Sequence, residues 1–409
     1  MSLNNAPRSS RVHIALFGKR NAGKSSIINA LTNQSIAIVS EVKGTTTDPV
    51  YKSMEILPIG PCVIIDTAGL DDIGGLGDLR IQKTMEVLGK ADVALYAVDA
   101  SVGITAEDEE ALKKIREKKI PTVIVINKED LKECSEEVIK ELKTQFKMPV
   151  ISVSALNKKG INALKEQIIK LLPDDEEKFK ILGDLINPGD FVVLVTPIDK
   201  AAPKGRLILP QQQTIRDILE SDAMAVVTKE FELKETLENL GKKPKLVVTD
   251  SQAFLKVAAD TPKDILMTSF SILFARHKGD LVELIKGAKA IKNLKDGDKI
   301  LVSEGCTHHR QSDDIGSVKI PRWLRQSTGK QLAFDYTSGS GFPDNVEDYT
   351  LIVHCGGCML NRRGMLTRIQ GAKEVGVPMV NYGVLIAYVQ GILDRALDPF
   401  PLAKMIWEE

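Results

Sequence analysis

Gly18-Lys19-Arg20-Asn21-Ala22-Gly23-Lys24-Ser25 is a G-x-x-x-x-G-K-S loop, and its flanks decide the fold of the N-terminal part. An apolar run at 13–17 precedes it and a helical pattern at 25–31 follows. That strand–loop–helix context is what the motif requires. Backbone N–H groups of such a loop point at phosphate oxygens, and the helix N-terminus adds its positive dipole end. Lys24 then places a charge at the β and γ phosphates, and the Ser25 hydroxyl is a Mg²⁺ ligand. Gly18, Asn21, Ala22, Gly23 and Ser26 complete the candidate phosphate-side contacts. The plain alternative is a glycine turn with no ligand. A match at every fixed position, in context, weighs against it.

Three further motifs follow in order. Asp66-Thr67-Ala68-Gly69 is a D-x-x-G at a strand end, where Asp66 reaches Mg²⁺ through water and the Gly69 N–H reaches a γ-phosphate. Asn127-Lys128-Glu129-Asp130 is an N-K-x-D. The Asp130 carboxylate accepts from N1–H and N2–H₂ of guanine, an arrangement adenine does not offer, so GTP is selected over ATP. Ser154-Ala155-Leu156 suits the short loop against the base, and Gly44-Thr45-Thr46-Thr47-Asp48 sits where a first switch belongs. Thr46 there is a candidate catalytic residue and second Mg²⁺ ligand, beside Lys24, Asp66 and Gly69. In order and spacing these motifs resemble those of the translation-factor-type GTPases. Leu70 stands where Ras-like proteins carry a water-orienting glutamine. In the bacterial tRNA-modification and ribosome-assembly GTPases that this domain resembles, the position of Asn21 helps bind K⁺, and Asn21 is expected to do so here.

Around these motifs the chain alternates apolar runs with helical patterns. Runs at 12–17, 63–66, 93–98, 122–126 and 150–153 read as buried parallel strands, and 107–118 and 136–146 as helices. This is a doubly wound α/β layout. Pro173-Asp174-Asp175-Glu176-Glu177 breaks it. The expected organisation is a GTP-binding domain at 1–174, a small α/β domain at 180–261 and an α/β domain at 262–409. In the last, strands are expected at 299–303, 331–334, 350–353 and 377–380. A middle domain of this size is near the lower end of self-sufficiency, which favours packing on a partner subunit.

Bulk composition excludes some classes. Lys+Arg and Asp+Glu both number 55, so nothing attracts nucleic acid or membrane globally. No apolar stretch approaches the roughly 18 residues of a membrane span. Residues 1–10 lack the apolar core of a signal peptide, so a cytoplasmic location is expected. Five cysteines, an odd number, argue against a disulfide framework. Cys62 in an apolar run and Cys134 on a charged helix read as bystanders.

The remaining cysteines lie in Cys306-Thr307-His308 and His354-Cys355-Gly356-Gly357-Cys358. Each group follows an expected strand. If those strands are parallel, the two meet at the carboxyl end of the sheet, where α/β folds place ligands. Spacing alone fits a Cys₃His zinc site using His308, His309 or His354, and equally a 4Fe-4S cluster on three thiolates.

The nucleotide loop followed by C-x-H and H-C-x-x-C resembles the HydF family of FeFe-hydrogenase maturation GTPases. Ala202-Pro203-Lys204-Gly205-Arg206-Leu207-Ile208-Leu209-Pro210-Gln211 is similar to that family as well, and the resemblance spans essentially the whole chain. It implies a 4Fe-4S cluster on Cys306, Cys355 and Cys358, and a middle domain that makes a homodimer. It also implies a scaffold, which receives a diiron precursor from radical-SAM maturases and passes it to FeFe-hydrogenase apoprotein. The fourth iron ligand stays open among His308, His354 and a carboxylate elsewhere. The rival reading is an RNA- or ribosome-associated GTPase with a zinc module. Against it, the C-terminal region lacks basic and aromatic interleaving, and Lys286, Lys289, Lys292, Lys295 and Lys299 read as a solvated face.

Overall fold

The computed structural model describes residues 11–33, 50–67, 87–172, 180–198, 207–305, 314–339, 342–343, 345–357 and 360–409. The chain divides into two compact units, Met1–Asp175 and Glu176–Glu409. Both are α/β.

The first unit runs β1 (Val12–Gly18), α1 (Lys24–Thr32), β2 (Val50–Ile56), β3 (Gly60–Asp66), β4 (Val93–Asp99), α2 (Ala106–Glu117), β5 (Thr122–Asn127), α3 (Glu136–Phe146), β6 (Val150–Ser152) and α4 (Ile161–Leu171). The strands order as β2-β3-β1-β4-β5-β6, with only β2 antiparallel to its neighbour. Helices cover both faces, so the strand runs are apolar on both faces. Ile14, Leu16, Leu95 and Val123 pack on one side, and Ala15, Phe17, Tyr96 and Ile124 on the other. The edge strand β2 carries Lys52 and Glu55, which deny it the apolar run that marks the buried strands. Local signals fix the helix starts. Thr105 and Asp108 form a reciprocal capping box on α2, and Ser135 caps α3. Tyr96 also donates its buried hydroxyl to Asp108 at 2.8 Å, tying β4 to that cap.

The second unit contains two parallel four-stranded sheets. The first is built from β7 (Phe191–Val195), α5 (Leu209–Glu220), β8 (Met224–Thr228), α6 (Leu233–Asn239), β9 (Leu246–Thr249), α7 (Phe254–Asp260) and β10 (Leu266–Ser269), followed directly by α8 (Phe270–Lys278) and α9 (Leu281–Ala290). The other is built from β11 (Lys299–Glu304), α10 (Ile320–Thr328), β12 (Ala333–Ser338), β13 (Leu351–His354), α11 (Arg362–Glu374) and β14 (Met379–Asn381). Helices α12 (Tyr382–Val389), α13 (Leu393–Ala396) and α14 (Pro401–Glu408) end the chain. The strand orders are β10-β9-β7-β8 and β12-β11-β13-β14. In each, the first strand of the sheet is interior and a later strand flanks it on either side, although no sequence repeat links the two.

One continuous apolar core runs through the unit, from Ile181 to Ala403. Its tightest joint is α9 on β14, where a Cβ on Gly287 would meet the Met379 carbonyl oxygen at 1.9 Å. Strand β10 runs into α8 with only the Ser269 N-cap between them. No glycine or proline marks the change of period, and the one local start signal is the Ser269 cap itself. Four of the five lysines from 286 to 299 are engaged within the unit. Lys286 pairs with Glu283 at 2.7 Å, Lys289 donates to the Ile406 carbonyl, Lys292 lies over Trp407, and Lys299 pairs with Asp335 at 2.9 Å.

Candidate functional site

At the carboxyl edge of the first sheet the strand order reverses about β1, with β3 on one side and β4 on the other. The loop 18–25 leaves β1 there and Asp66 ends β3. Gly18 (φ +128°) and Gly23 (φ +84°) hold conformations that side chains rarely adopt. A Cβ on Gly18 would meet the Ala97 carbonyl oxygen at 2.2 Å, and one on Gly23 the Asn127 amide nitrogen at 2.2 Å. Asn21 at the crest is left-handed as well (φ 66°) and exposed, as are Ser25 and Ser26 at the start of α1. Lys24 folds back over the loop, donating to the Gly18 and Lys19 carbonyls at 2.5 and 2.9 Å. Burial pushes the Asp66 carboxyl above the usual carboxylate range, against the pull of Lys24 and Lys52. A divalent cation beside it would hold it ionised.

Asn127 is a clamp between loops of the site. Its buried amide donates to the Ala22 carbonyl at 3.0 Å and accepts from the Ala155 N–H at 3.1 Å. It therefore locks the phosphate loop to the loop 154–156. Asp130 is exposed and oriented by Ser154, whose hydroxyl donates to it at 2.5 Å. Lys128 (φ 68°) pairs with Asp99 at 2.6 Å, and Leu156 is exposed. Thr46, Gly69 and Leu70 lie outside the described residues.

The third sheet reverses order in the same manner. Strand β12 lies to one side of β11 and β13 to the other, all parallel, with Ser303 opposite His354. Cys355 follows β13, and its N–H donates to the Ser303 carbonyl at 2.9 Å. Its sulfur accepts from the Gly305 N–H at 3.1 Å and the Gly357 N–H at 3.4 Å. Gly305 thus delivers the chain leading to Cys306 directly against Cys355. Gly357 needs its left-handed conformation (φ +59°), and Gly305 has Leu360 packed against it. Cys306, His308, His309 and Cys358 lie outside the described residues. Among the described residues no set of three metal-ligating side chains converges. What is present fits a thiolate-held cluster: a half-buried sulfur with two backbone donors aimed at it, as iron–sulfur ligation favours.

His354 has to be withdrawn as a candidate iron or zinc ligand. It is fully buried, its Nδ1 bonds the Cys355 carbonyl at 2.7 Å, and its Nε2 faces an Arg368 N–H at 2.8 Å. Both ring nitrogens are thereby spent. Burial, and then the Arg368 charge, bring its pKa down to about 3. The ring is neutral, with the proton on Nδ1. Arg368 also reaches the Gly339 carbonyl at 3.1 Å and stacks over Phe342.

Sequence reasoning missed Arg368 and Lys278, which donates to the Gly357 and Leu360 carbonyls at 3.2 and 3.0 Å. A signal existed for each. Arg368 shares the buried stripe of α11 with Met365, Ile369 and Ala372, and Lys278 lies one turn after buried Phe274. A cation on an apolar helix face is unusual enough to need a partner. Cys62 and Cys134 stay apart from this site. Burial pushes the Cys62 thiol up to about 12 and raises that of Cys134, which lies just before α3 rather than on a helix.

The clamp separates two effects at the nucleotide end. Asn127→Ala removes two buried hydrogen bonds of about 1 kcal/mol each and should weaken every nucleotide at least tenfold. Asp130→Asn should shift preference away from guanine while leaving phosphate affinity intact. Equilibrium titration with labelled GDP and ADP separates them. Unchanged GDP affinity in Asn127→Ala would contradict the clamp.

Comparison with known proteins finds three matched stretches along the chain. Residues 13–128 match the 50S ribosome-binding GTPase family. The chain is similar to GTPase Der of a Nitratiruptor species, 38% identical over 171 residues, which are 40% of this chain and 37% of that protein. It is also similar to the tRNA modification GTPase MnmE of Heliobacterium modesticaldum, 37% identical over 164 residues, 39% of this chain and 34% of that one. The chain therefore spans little more than a third of the length of these curated relatives, and the likeness is to their GTPase regions. Residues 181–279 match the Hydrogen maturase F dimerization domain and residues 282–399 the Hydrogen maturase F tetramerization domain. A GTPase domain followed in one chain by both of these domains places the protein in the hydrogen maturase F family.

Proposed function

We propose that this chain is a Mg²⁺-dependent, K⁺-activated GTPase and a cluster-transfer scaffold for FeFe-hydrogenase maturation. In this reading it holds a 4Fe-4S cluster on Cys306, Cys355 and Cys358. It takes up a diiron precursor from radical-SAM maturases and hands it to the hydrogenase apoprotein. The observation that carries the reading is the juxtaposition of Gly305 with the Cys355 sulfur at a strand-order reversal, in a chain that opens with a complete nucleotide loop. Self-association follows from the two matched oligomerisation domains. A cytoplasmic site of action is in keeping with this role, and no described helix is long and apolar enough to cross a membrane. The engaged lysines at 286–299 give the RNA reading no support.

For hydrolysis, the loop N–H groups and Lys24 hold the β and γ phosphates, Ser25 and Thr46 would hold Mg²⁺, and Asp66 would act on it through water. The bound cation neutralises charge developing on the transferring phosphoryl group. Asp130, fixed by Ser154, selects guanine. Asn21 is exposed at the loop crest, where it would hold K⁺ in place of an arginine finger. At the cluster end, three thiolates leave one iron with a weaker ligand. With His354 withdrawn, His308 or a carboxylate elsewhere remains for it. An exchangeable corner suits a carrier whose cargo must leave.

GTP turnover should be several-fold faster in K⁺ than in Na⁺, with the difference lost in Asn21→Ala. Equal rates in the two salts would contradict the cation role. Each of Cys306→Ser, Cys355→Ser and Cys358→Ser should lose most of its reconstituted iron, while Cys62→Ser and Cys134→Ser keep theirs. Full iron in Cys355→Ser would end the scaffold reading.

A further inference from the structure

Lys278 is the last residue of α8, the helix that closes the stretch matched to the dimerization domain. Its side chain leaves that domain and enters the cysteine loop of the next. Only 3% of the residue is exposed. Its ammonium donates to the Gly357 carbonyl at 3.2 Å and the Leu360 carbonyl at 3.0 Å, which bracket Cys358. Leu360 in turn donates its N–H to the Gly357 carbonyl at 3.0 Å, so that one oxygen receives both groups. The Phe274 ring, one helical turn earlier, lies 5.8 Å from the ammonium. Chain direction changes immediately afterwards at Gly279, where a Cβ would lie 2.8 Å from the Ala275 carbonyl oxygen.

We propose that Lys278 is a positioning residue of the iron–sulfur site, which fixes the loop carrying Cys355 and Cys358 and biases the cluster toward its reduced state. The proposal rests on the cluster reading above. A 4Fe-4S cluster on three thiolates is anionic and gains a further negative charge on reduction. A buried cation held by the backbone on either side of Cys358 would be weakly screened and would stabilise the more negative form. Among the described residues, other charged groups at this end of the sheet include Arg368, which faces His354, Arg362, which donates to the His277 carbonyl, Asp314, and Glu304, which accepts from the Tyr382 hydroxyl at 3.2 Å. Each of these side chains is kept in the variants at position 278. Because the cation belongs to the helix that closes the dimerization domain, displacement of α8 would alter the loop and the potential together. The competing role is plain packing, in which Lys278 only fills space beside Gly357 and Leu360.

The test is an EPR-monitored redox titration of the full-length protein, reconstituted with iron and sulfide, compared with Lys278→Arg, Lys278→Gln and Lys278→Met. Iron content and oligomeric state are measured on each sample. The two neutral variants should reduce less readily, by about tenfold in the oxidised-to-reduced equilibrium. That is ~59 mV toward negative potential for a one-electron couple. Lys278→Arg should keep the parent value. Loss of cluster from both neutral variants, with retention in Lys278→Arg, also supports the role of the charge. Unchanged potential in Lys278→Gln and Lys278→Met, or loss of cluster from Lys278→Arg as well, overturns it in favour of packing. An unmodified protein that takes up no iron removes the cluster reading itself, and the proposal with it.

Discussion

Parallel strands need crossovers, and where successive crossovers leave in opposite directions, the carboxyl ends of two neighbouring strands open onto a crevice. Both candidate sites depend on that constraint. In the first sheet the reversal about β1 opens the space for the phosphate loop beside Asp66. In the third it puts the ends of β11 and β13 side by side and brings Gly305 onto Cys355. The chemistry differs, but the architecture that gathers sequence-distant residues is the same. The intervening sheet likewise keeps its first strand, β7, between two later ones.

Within each crevice the fine positioning comes from buried polar groups that tie the site's loops together. Asn127 bonds Ala22 and Ala155 through its amide, which ties the phosphate loop to the loop 154–156. At the cysteine end His354 and Arg368 do the comparable work. The neutral imidazole bonds the Cys355 carbonyl and the guanidinium holds the ring. Ligand-bearing loops are thus held from behind by groups that burial makes costly to leave unpaired.

What the sequence made legible follows from how local each signal is. Buried parallel strands appear as apolar runs, and those at 12–17, 93–98 and 122–126 fall on β1, β4 and β5. The nucleotide motifs were legible because their chemistry fixes residue types at fixed spacings. The parallel pairing of β11 and β13 was readable only as a condition, since register is a tertiary property. Strand β2, a charged edge, and the β10–α8 junction, with no glycine or proline, gave no period to read. His354 was misread for a related reason. A histidine beside a cysteine looks like a ligand until Arg368, 14 residues away and on another element, claims its second nitrogen. Lys278 shows the same limit, since nothing in its own segment points to Gly357.

The central claim is that the crevice between β11 and β13 holds a thiolate-ligated cluster with one exchangeable iron. Mössbauer spectroscopy of protein reconstituted anaerobically with ⁵⁷Fe reads this directly. The account predicts a 4Fe-4S spectrum in which one iron site is distinguishable from the other three and responds to added imidazole. Four equivalent, unresponsive iron sites, or protein that retains zinc and forms no cluster, would contradict it.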